Sequence, residues 1–155
     1  VAQLFEERSL RCSRRTAPSD PAGADILLLD SIGELASAYA LADVVFVGGS
    51  LVPHGGQNIL EPAILGRPVV VGPYTSNFRQ IVDDFLARDA VVQLDGESRA
   101  GGPSTRELAD ALATLLLDRH RATTIGRRGQ DVVRANRGAV DRTIAALAPI
   151  LERAS

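Results

Sequence analysis

The stretch that decides the fold of this chain runs from Asp43 to Pro73 and reads DVVFVGGSLVPHGGQNILEPAILGRPVVVGP. Two apolar runs frame a loop with two glycine pairs and a short apolar segment, which predicts a strand, a glycine-rich loop, a short helix and a second strand. Glycine lets a backbone approach a ligand closely because it has no Cβ, and the start of a helix suits a phosphate. Glu61, in the first helical turn, can accept hydrogen bonds from sugar hydroxyls. The stretch therefore predicts a site for a nucleotide sugar.

The length and composition of the chain limit its class. A chain of 155 residues with 45% hydrophobic residues is long enough to form one domain with its own core. The net charge of −2 argues against a nucleic-acid-binding protein. No apolar run approaches the roughly 20 residues that cross a bilayer, and no signal peptide is recognisable. We expect a soluble domain and, because the chain begins at Val1 without a methionine, a piece of a longer protein.

The reactive side chains exclude several kinds of site. With one cysteine, Cys12, and two distant histidines, His54 and His120, the chain cannot build a disulfide framework or a cysteine-rich zinc site. All 17 basic residues are arginine, which excludes a phosphate-binding lysine and a lysine Schiff base. No cluster of carboxylates stands out as a magnesium site. We therefore expect a site that works without a metal or another cofactor.

Strand and helix signals alternate along the chain. Four short apolar runs predict buried strands, at Ile26–Leu29, Val44–Val47, Val69–Val71 and Ala90–Leu94. Helical spacing and helix-start signals predict helices at 1–10, 35–41, 59–65, 77–88, 104–117, 119–136 and 139–151, and the polar stretch 11–24 predicts a loop. This alternation indicates an α/β domain with a mostly parallel sheet.

The loops after the first three strands carry most of the glycines and polar residues. In a parallel sheet such loops lie at one edge, beyond the carboxyl ends of the strands, where ligands of α/β proteins bind. We therefore expect the loops 31–34, 48–61 and 72–77 to converge on one site.

Several of the polar loop residues also have an ordinary structural interpretation. Ser31 with Glu34, and Asn58 with Glu61, have the spacing of a capping box, so each pair is also expected where a helix simply begins. Asn77 is most simply interpreted as the cap of the helix that follows it. For these positions a structural role and a ligand contact are compatible, since a cap and a ligand can share one helix end.

Three ordered segments resemble the carboxyl-terminal domain of the bacterial 3-deoxy-D-manno-octulosonic acid (Kdo) transferases. The central segment reads VGGSLVPHGGQNILEPAILGRPVVVGPYTSNF; the upstream one reads LLLDSIGELASAYALADVVFVGGS, and the final one RANRGAVDRTIAALAPIL. The resemblance covers the chain from about Ile26 to Leu151. It implies one half of a GT-B fold, in which two Rossmann-like, three-layer domains face a cleft and the second binds the nucleotide. Residues 1–155 would then form a single donor-binding domain, and the amino-terminal domain would lie outside this chain.

The resemblance also implies which residues bind the donor, CMP-Kdo. The positions that fall on the two CMP-contacting motifs of the family are Ile32, Gly33 and Glu34, and then Asn58, Ile59, Leu60 and Glu61. The glycine loop adds Gly55 and Gly56, and the candidate substrate contacts are Ser50, His54, Gln57 and Asn77. Glu61 would hold the ribose hydroxyls, and Asn58 would face the phosphate or the Kdo carboxylate. His54 is equally well interpreted as an exposed loop residue, and Gln57 stands where the family usually has histidine.

By resemblance, the complete enzyme moves Kdo from CMP-Kdo to a lipid A precursor in lipopolysaccharide biosynthesis, at the cytoplasmic face of the bacterial inner membrane. The catalytic glutamate, the acceptor site and the membrane anchor belong to the amino-terminal domain, so we expect this chain to hold no catalytic residue and to be inactive alone. Two alternatives stay open. One is the donor domain of another GT-B glycosyltransferase or epimerase that uses a UDP-sugar, and the other is a non-catalytic Rossmann-like binding module.

A basic stretch near the end of the chain has two interpretations as well. Residues 119–142 carry seven arginines against two aspartates, Asp131 and Asp141. A solvated helix face is the ordinary interpretation of such a stretch. Contact with anionic lipid is the alternative, because each basic residue near such a surface adds about 1 kcal/mol of attraction.

Overall fold

The computed structural model of the chain describes residues 1–20, 22–96 and 105–153, and in the last helix it describes side chains as far as Asn136. The chain divides into two compact units, Val1–Ala38 and Tyr39–Ser155. Among the residues described, no helix combines the length and the apolar character that a bilayer crossing requires.

The first unit is built on a pair of parallel strands. Helix α1 (Ala2–Glu6) precedes strand β1 (Cys12–Arg14), which pairs with strand β2 (Ile26–Leu28) so that Cys12 stands opposite Ile26. Helix α2 (Leu35–Leu41) begins in this unit. The prediction of a loop over 11–24 is wrong for β1. This strand has no apolar run by which it could be recognised in the sequence. It forms through its pairing with β2 and the burial of Ser13.

The second unit contains a three-stranded parallel sheet. Its strands are β3 (Val45–Val47), β4 (Val69–Val71) and β5 (Val92–Gln93), in the spatial order β3-β4-β5. The helices are α3 (Leu60–Ile64), α4 (Arg79–Leu86), α5 (Thr105–Leu117) and α6 (Arg119–Arg153), with a short 3₁₀ turn at Ser76–Phe78 before α4. The predicted strands and their parallel pairing are confirmed, but they fall in two sheets because β2 pairs with β1.

The core of the second unit lies on both faces of its sheet. Val69, Val70 and Val71 are all at most 1% exposed. Val69 and Val71 belong to a cluster with Phe85 of α4 and residues of α3 and α6, whereas Val70 belongs to a second cluster with Leu115 of α5 and residues of α6. Because successive residues of a strand point to opposite faces, one run of valines holds two helical layers to the sheet.

Several helix boundaries differ from the prediction, and α1, predicted over 1–10, already ends at Glu6. Residues 119–153 form one helix where two segments were expected, since a glycine inside a helix costs only about 1 kcal/mol relative to alanine and need not end it. Asp118 directly precedes this helix, and its Oδ1 accepts a hydrogen bond from Arg121 N at 2.9 Å. Ser104, the expected cap of α5, lies outside the described residues.

Candidate functional site

The loops that follow β3 and β4 are joined through one buried serine. The hydroxyl of Ser50 donates to the carbonyl of Val47 at 2.6 Å and accepts from the amide of Gly72 at 2.8 Å. The amide of Tyr74 donates to the Ser50 carbonyl at 3.0 Å. The predicted convergence of these two loops is confirmed. The convergence of loop 31–34 with them stays a prediction, because that loop belongs to the first unit.

This arrangement corrects the expectation for Ser50. Its side chain is fully buried, and its oxygen already takes part in two hydrogen bonds inside the protein. A serine in this position organises the loops and cannot offer its hydroxyl to a substrate. His54 and Gln57, in contrast, are exposed side chains of the same loop, as a substrate contact requires.

A second junction joins the loops at Gly55 and Asn77. The side-chain amide of Asn77 donates to the His54 carbonyl at 3.1 Å, and its backbone amide donates to the Gly55 carbonyl at 3.1 Å. A Cβ on Gly55 would lie 2.5–2.7 Å from the Asn77 side chain, and Gly55 has φ +87°. The expected cap role of Asn77 is wrong, since α4 begins two residues later with Phe78 at its N-cap.

The glycine pair therefore serves loop packing at the points where ligand approach was expected. Gly56, also buried, donates its amide to the Gly49 carbonyl at 3.2 Å, and a Cβ there would meet the Tyr74 carbonyl at 3.3 Å. The space beside both residues is filled by the neighbouring loop of the same protein. The glycines correctly predicted the position of the loop. The structure shows that they make room for the neighbouring loop, whereas the prediction was that they make room for a ligand.

The start of α3 presents Glu61 to solvent. Asn58 Oδ1 accepts from the Leu60 amide at 3.0 Å, and Asn58 Nδ2 lies 3.5 Å from Glu61 Oε1. Ile59 stands at the N-cap and is 1% exposed, so its side chain belongs to the core. The predicted cap position was therefore one residue too early, although Asn58 still satisfies a free amide at the helix start. Pro62 lies in the first turn, where proline is tolerated.

A cleft of about 580 Å³ opens beside Glu61. Its lining is mostly apolar, with several polar side chains, and comprises Leu60, Glu61, Ile64, Gln80, Ile81, Asp84, Val133 and Asn136. Burial, and then the charge of Glu61, raise the pKa of the half-buried Tyr39. Tyr39 was not predicted as a neighbour of Glu61, because 22 positions separate them and no local pattern links residues of two different helices.

In the first unit, Asp30 is held firmly at the start of loop 30–34. The Thr16 hydroxyl donates to Asp30 Oδ2 at 2.7 Å, and the Thr16 amide donates to Oδ1 at 3.0 Å. Arg14 adds an ion pair at 2.7 Å. These partners, the Thr16 hydroxyl first, lower the pKa of Asp30 to about 2. The loop is thus tied at Asp30 to the residues that follow β1.

Glu34 is held in the same way at the other end of this loop. The Ser31 hydroxyl donates to Glu34 Oε2, while Arg15 Nε and Nη2 donate to Oε1 at 3.2 and 2.9 Å. The Ser31 hydrogen bond, followed by Arg15, lowers the pKa of Glu34. Helix α2 begins at Leu35, after residues 30–34 as predicted. The interpretation of Ser31 as its cap is wrong, because the Ser31 hydroxyl bonds the Glu34 side chain and lies four residues before the helix. Residues 32–34 precede the helix because Gly33, with φ +89°, interrupts any helical path.

The partners of loop 30–34 that were not predicted are Arg14, Arg15 and Thr16. They lie in the stretch that was predicted to be a loop, and 14 to 19 positions separate them from their partners. Recognising β1 as a strand paired with β2 would have placed these residues next to Asp30 and Glu34.

Metal binding has little support in the described ranges 1–20, 22–96 and 105–136. Within them, no group of three or more histidine, cysteine, aspartate or glutamate side chains is placed to hold an ion.

Two curated relatives align with almost the whole chain. The 3-deoxy-D-manno-octulosonic acid transferase of Haemophilus influenzae is 35% identical over 154 residues, 99% of this chain. The protein of the same name from Bordetella pertussis is 36% identical over 149 residues, 95% of this chain. The chain spans about a third of the length of these relatives, 34% and 33% respectively. No protein-family model matches it.

A solved structure has the same fold. The crystal structure of the C-terminal CMP-Kdo binding domain of WaaA from Acinetobacter baumannii matches with a TM-score of 0.74 at 34% identity, covering 84% of this chain and 65% of that one. This match confirms the expected α/β, Rossmann-like fold of one half of a GT-B enzyme.

Proposed function

This chain belongs to the bacterial 3-deoxy-D-manno-octulosonic acid transferase family, and we propose that it is the domain that binds CMP-Kdo in a glycosyltransferase that delivers Kdo to a lipid A precursor. The observation that carries the proposal is the match of nearly the whole chain to Kdo transferases, at 35% and 36% identity. The likeness to a CMP-Kdo binding domain at 34% identity gives further support.

Glu61 is the residue we assign to the ribose of the donor. Its carboxylate is exposed at the first turn of α3, beside a cleft lined by Leu60 and Ile64. A carboxylate accepts hydrogen bonds only, so it suits the two hydroxyl donors of a ribose. Asn58 lies next to it and keeps the helix start ordered through the Leu60 amide. We assign the phosphate or Kdo carboxylate to the surroundings of Asn58.

The chemistry of the complete enzyme is a displacement at the anomeric carbon of Kdo. A hydroxyl of the acceptor attacks that carbon, the bond to the phosphate oxygen breaks, and CMP leaves with the bonding electrons. The part of this domain is to orient the donor and to stabilise the negative charge that develops on the CMP phosphate, for which backbone N–H groups are sufficient. We propose that transfer needs no metal or other cofactor. The catalytic base comes from outside this chain, so the chain alone is inactive.

The acceptor and the membrane belong to the same proposal. A lipid A precursor is anchored in a bilayer, which puts the complete enzyme at the cytoplasmic face of the inner membrane, in lipopolysaccharide biosynthesis. Among the side chains that the structure describes in α6, as far as residue 136, Arg119, Arg121, Arg127 and Arg134 are exposed and available to an anionic surface. Arg128 is exposed too, but it pairs with Asp89 at 3.3 Å. If the complete protein does not bind anionic vesicles, or binds them independently of salt, these arginines do not contact the membrane. That result would leave the donor-site assignment unaffected.

An amide NMR titration of the 155-residue chain with CMP, and then with UMP, tests the donor assignment. We expect shifts at residues 32–34 and 55–61 that are larger with CMP. Equal responses to both nucleotides would favour a domain for a UDP-sugar. If the chain gives no response at millimolar CMP, the complete transferase is titrated, and no response there would favour a non-catalytic binding module.

A further inference from the structure

Three arginine–carboxylate pairs tie β1 and β2 together, one at the start of the strands and two at their ends. Arg11 pairs with Asp25 at 2.8 Å before the strands begin. At the carboxyl ends, Arg14, the last residue of β1, pairs with Asp30, and Arg15, the residue after it, pairs with Glu34. The latter two pairs fall on both ends of loop 30–34, which we call the donor loop because it contains the first proposed CMP-contacting motif.

The donor loop has no buried side chain of its own to hold it. Ile32 is fully exposed, at 103% of its reference area, and no heavy atom lies within 4 Å of the Cβ position of Gly33. Loops are usually ordered by packing, but here the polar bonds at Asp30 and Glu34 are the contacts that hold the two middle residues in place.

We propose that Arg15 is a positioning residue for the donor: it clamps the Glu34 carboxylate so that Ile32 and Gly33, rather than the Glu34 side chain, meet CMP-Kdo. This inference rests on the proposed function. Both Glu34 oxygens already have protein partners, Oε1 with Arg15 and Oε2 with Ser31. A carboxylate engaged in this way is poorly available to a nucleotide, and its bonds keep the loop in one conformation.

The backbone of Arg15 makes the clamp rigid. Its amide donates to the Leu28 carbonyl at 2.9 Å, which continues the pairing of the two strands by one residue. The guanidinium therefore extends from a fixed point and presents two of its N–H groups to one oxygen. A loop that is already ordered loses little conformational entropy when its ligand binds. A residue that keeps the loop ordered can therefore raise the affinity without touching the ligand.

The test is the affinity of the 155-residue chain for CMP in four single variants and one double variant, each checked for folding by circular dichroism. Arg15→Ala should weaken binding roughly fivefold to tenfold, the loss expected when a small loop must be ordered on binding. Arg15→Lys should bind CMP with an affinity between those of Arg15→Ala and the wild-type chain. Lysine keeps the positive charge but lacks the planar guanidinium that presents two N–H groups to one oxygen. Arg11→Ala is the matched control, because it removes the same kind of pair at the other end of the strands, and should change affinity less than twofold.

Glu34→Ala and the double variant Arg15→Ala/Glu34→Ala show whether Arg15 acts through Glu34. If it does, Glu34→Ala should weaken binding as much as Arg15→Ala, and Arg15→Ala should add nothing in the Glu34→Ala background. In the complete transferase, Arg15→Ala should raise the KM for CMP-Kdo and leave kcat and the melting temperature unchanged.

Two results would overturn the inference alone: wild-type affinity for CMP in Arg15→Ala, or independent, multiplying losses in the double variant. Failure of the wild-type chain and of the wild-type transferase to bind CMP would instead overturn the proposed function, and the inference with it.

Discussion

The amide of Gly72 donates a hydrogen bond to the hydroxyl of Ser50 at 2.8 Å, and this bond joins the loops that follow two neighbouring strands. Both residues are buried, and the Ser50 carbonyl lies so close to Gly72 that a Cβ there would be 2.2 Å from it. The candidate site is therefore built on a tight internal contact between loops. Its outer surface, where Glu61, His54 and Gln57 are exposed, is held in shape by this contact.

Replacing Ser50 with alanine should lower the free energy of unfolding, because it removes a buried bond between the two loops. The Gly72 amide would lose its acceptor in a buried place, which costs about 1–3 kcal/mol. Urea unfolding measures the loss in free energy of unfolding. Ser76→Ala is the control, because Ser76 is exposed and surface substitutions usually stay within about 0.5 kcal/mol. Equal losses in the two variants would show that the buried bond contributes nothing specific.

Gly55→Ala should disrupt the second loop junction. Its φ of +87° disfavours any residue with a Cβ, at a cost of about 1–2 kcal/mol, and the new methyl group would press on Asn77. We expect a lower melting temperature and displaced amide resonances at residues 54 and 77.

Gly48→Ala is the matched comparison for this variant, since nothing lies within 4 Å of its Cβ position. Combining Gly55→Ala with Asn77→Ala should recover the part of the lost stability that comes from the clash between the two side chains. The part that comes from the positive φ at residue 55 should remain. A Gly55→Ala protein as stable as the Gly48→Ala protein would contradict the geometry of this junction.

Glu61→Ala in the complete transferase should lower kcat/KM for CMP-Kdo roughly tenfold to a hundredfold, as expected for the loss of hydrogen bonds from a charged acceptor to the donor. Asp83→Ala removes another exposed carboxylate from the same unit, on α4, and should leave the kinetics unchanged. Steady-state rates over a range of CMP-Kdo concentrations decide the matter, and wild-type kinetics in Glu61→Ala would remove our assignment of the ribose contact.

Asp25 and Asp30 should titrate well below the ordinary aspartate. Hydrogen bonds from Arg11 lower the pKa of Asp25 from 3.8 to about 2, and those from Thr16, followed by Arg14, lower the pKa of Asp30 equally far. Because the folded-state values are depressed, the two sites stabilise the fold above about pH 4, and the contribution is lost as the pH falls towards 2.

Carboxyl ¹³C NMR across this pH range measures each midpoint. Arg11→Ala should raise the midpoint of Asp25 alone, and Thr16→Val should raise that of Asp30 alone, so each variant serves as the control of the other. If either midpoint in the wild-type protein lies near 3.8, the corresponding hydrogen bonds do not persist in solution.

Apolar pattern was sufficient to predict the second unit. The runs at 44–47 and 69–71 are too short and too continuous for an amphipathic helix, and burial on both faces makes such runs into parallel strands. Strand β1 had no such signal, because Cys12, Ser13 and Arg14 form a strand only in the presence of β2.

The sequence by itself determined the fold class, the position of the glycine loop and the place of Glu61 in the first turn of a helix, since these follow from local periodicity and turn chemistry. Only the tertiary structure decided how individual polar groups are used. Ser50 and Asn77 join loops, Gly55 and Gly56 make room for a neighbouring loop, and Glu34 binds Arg15. Each of these roles depends on partners 18 to 23 positions away. How strands pair and loops pack decides which such residues meet, and no local sequence pattern contains that information.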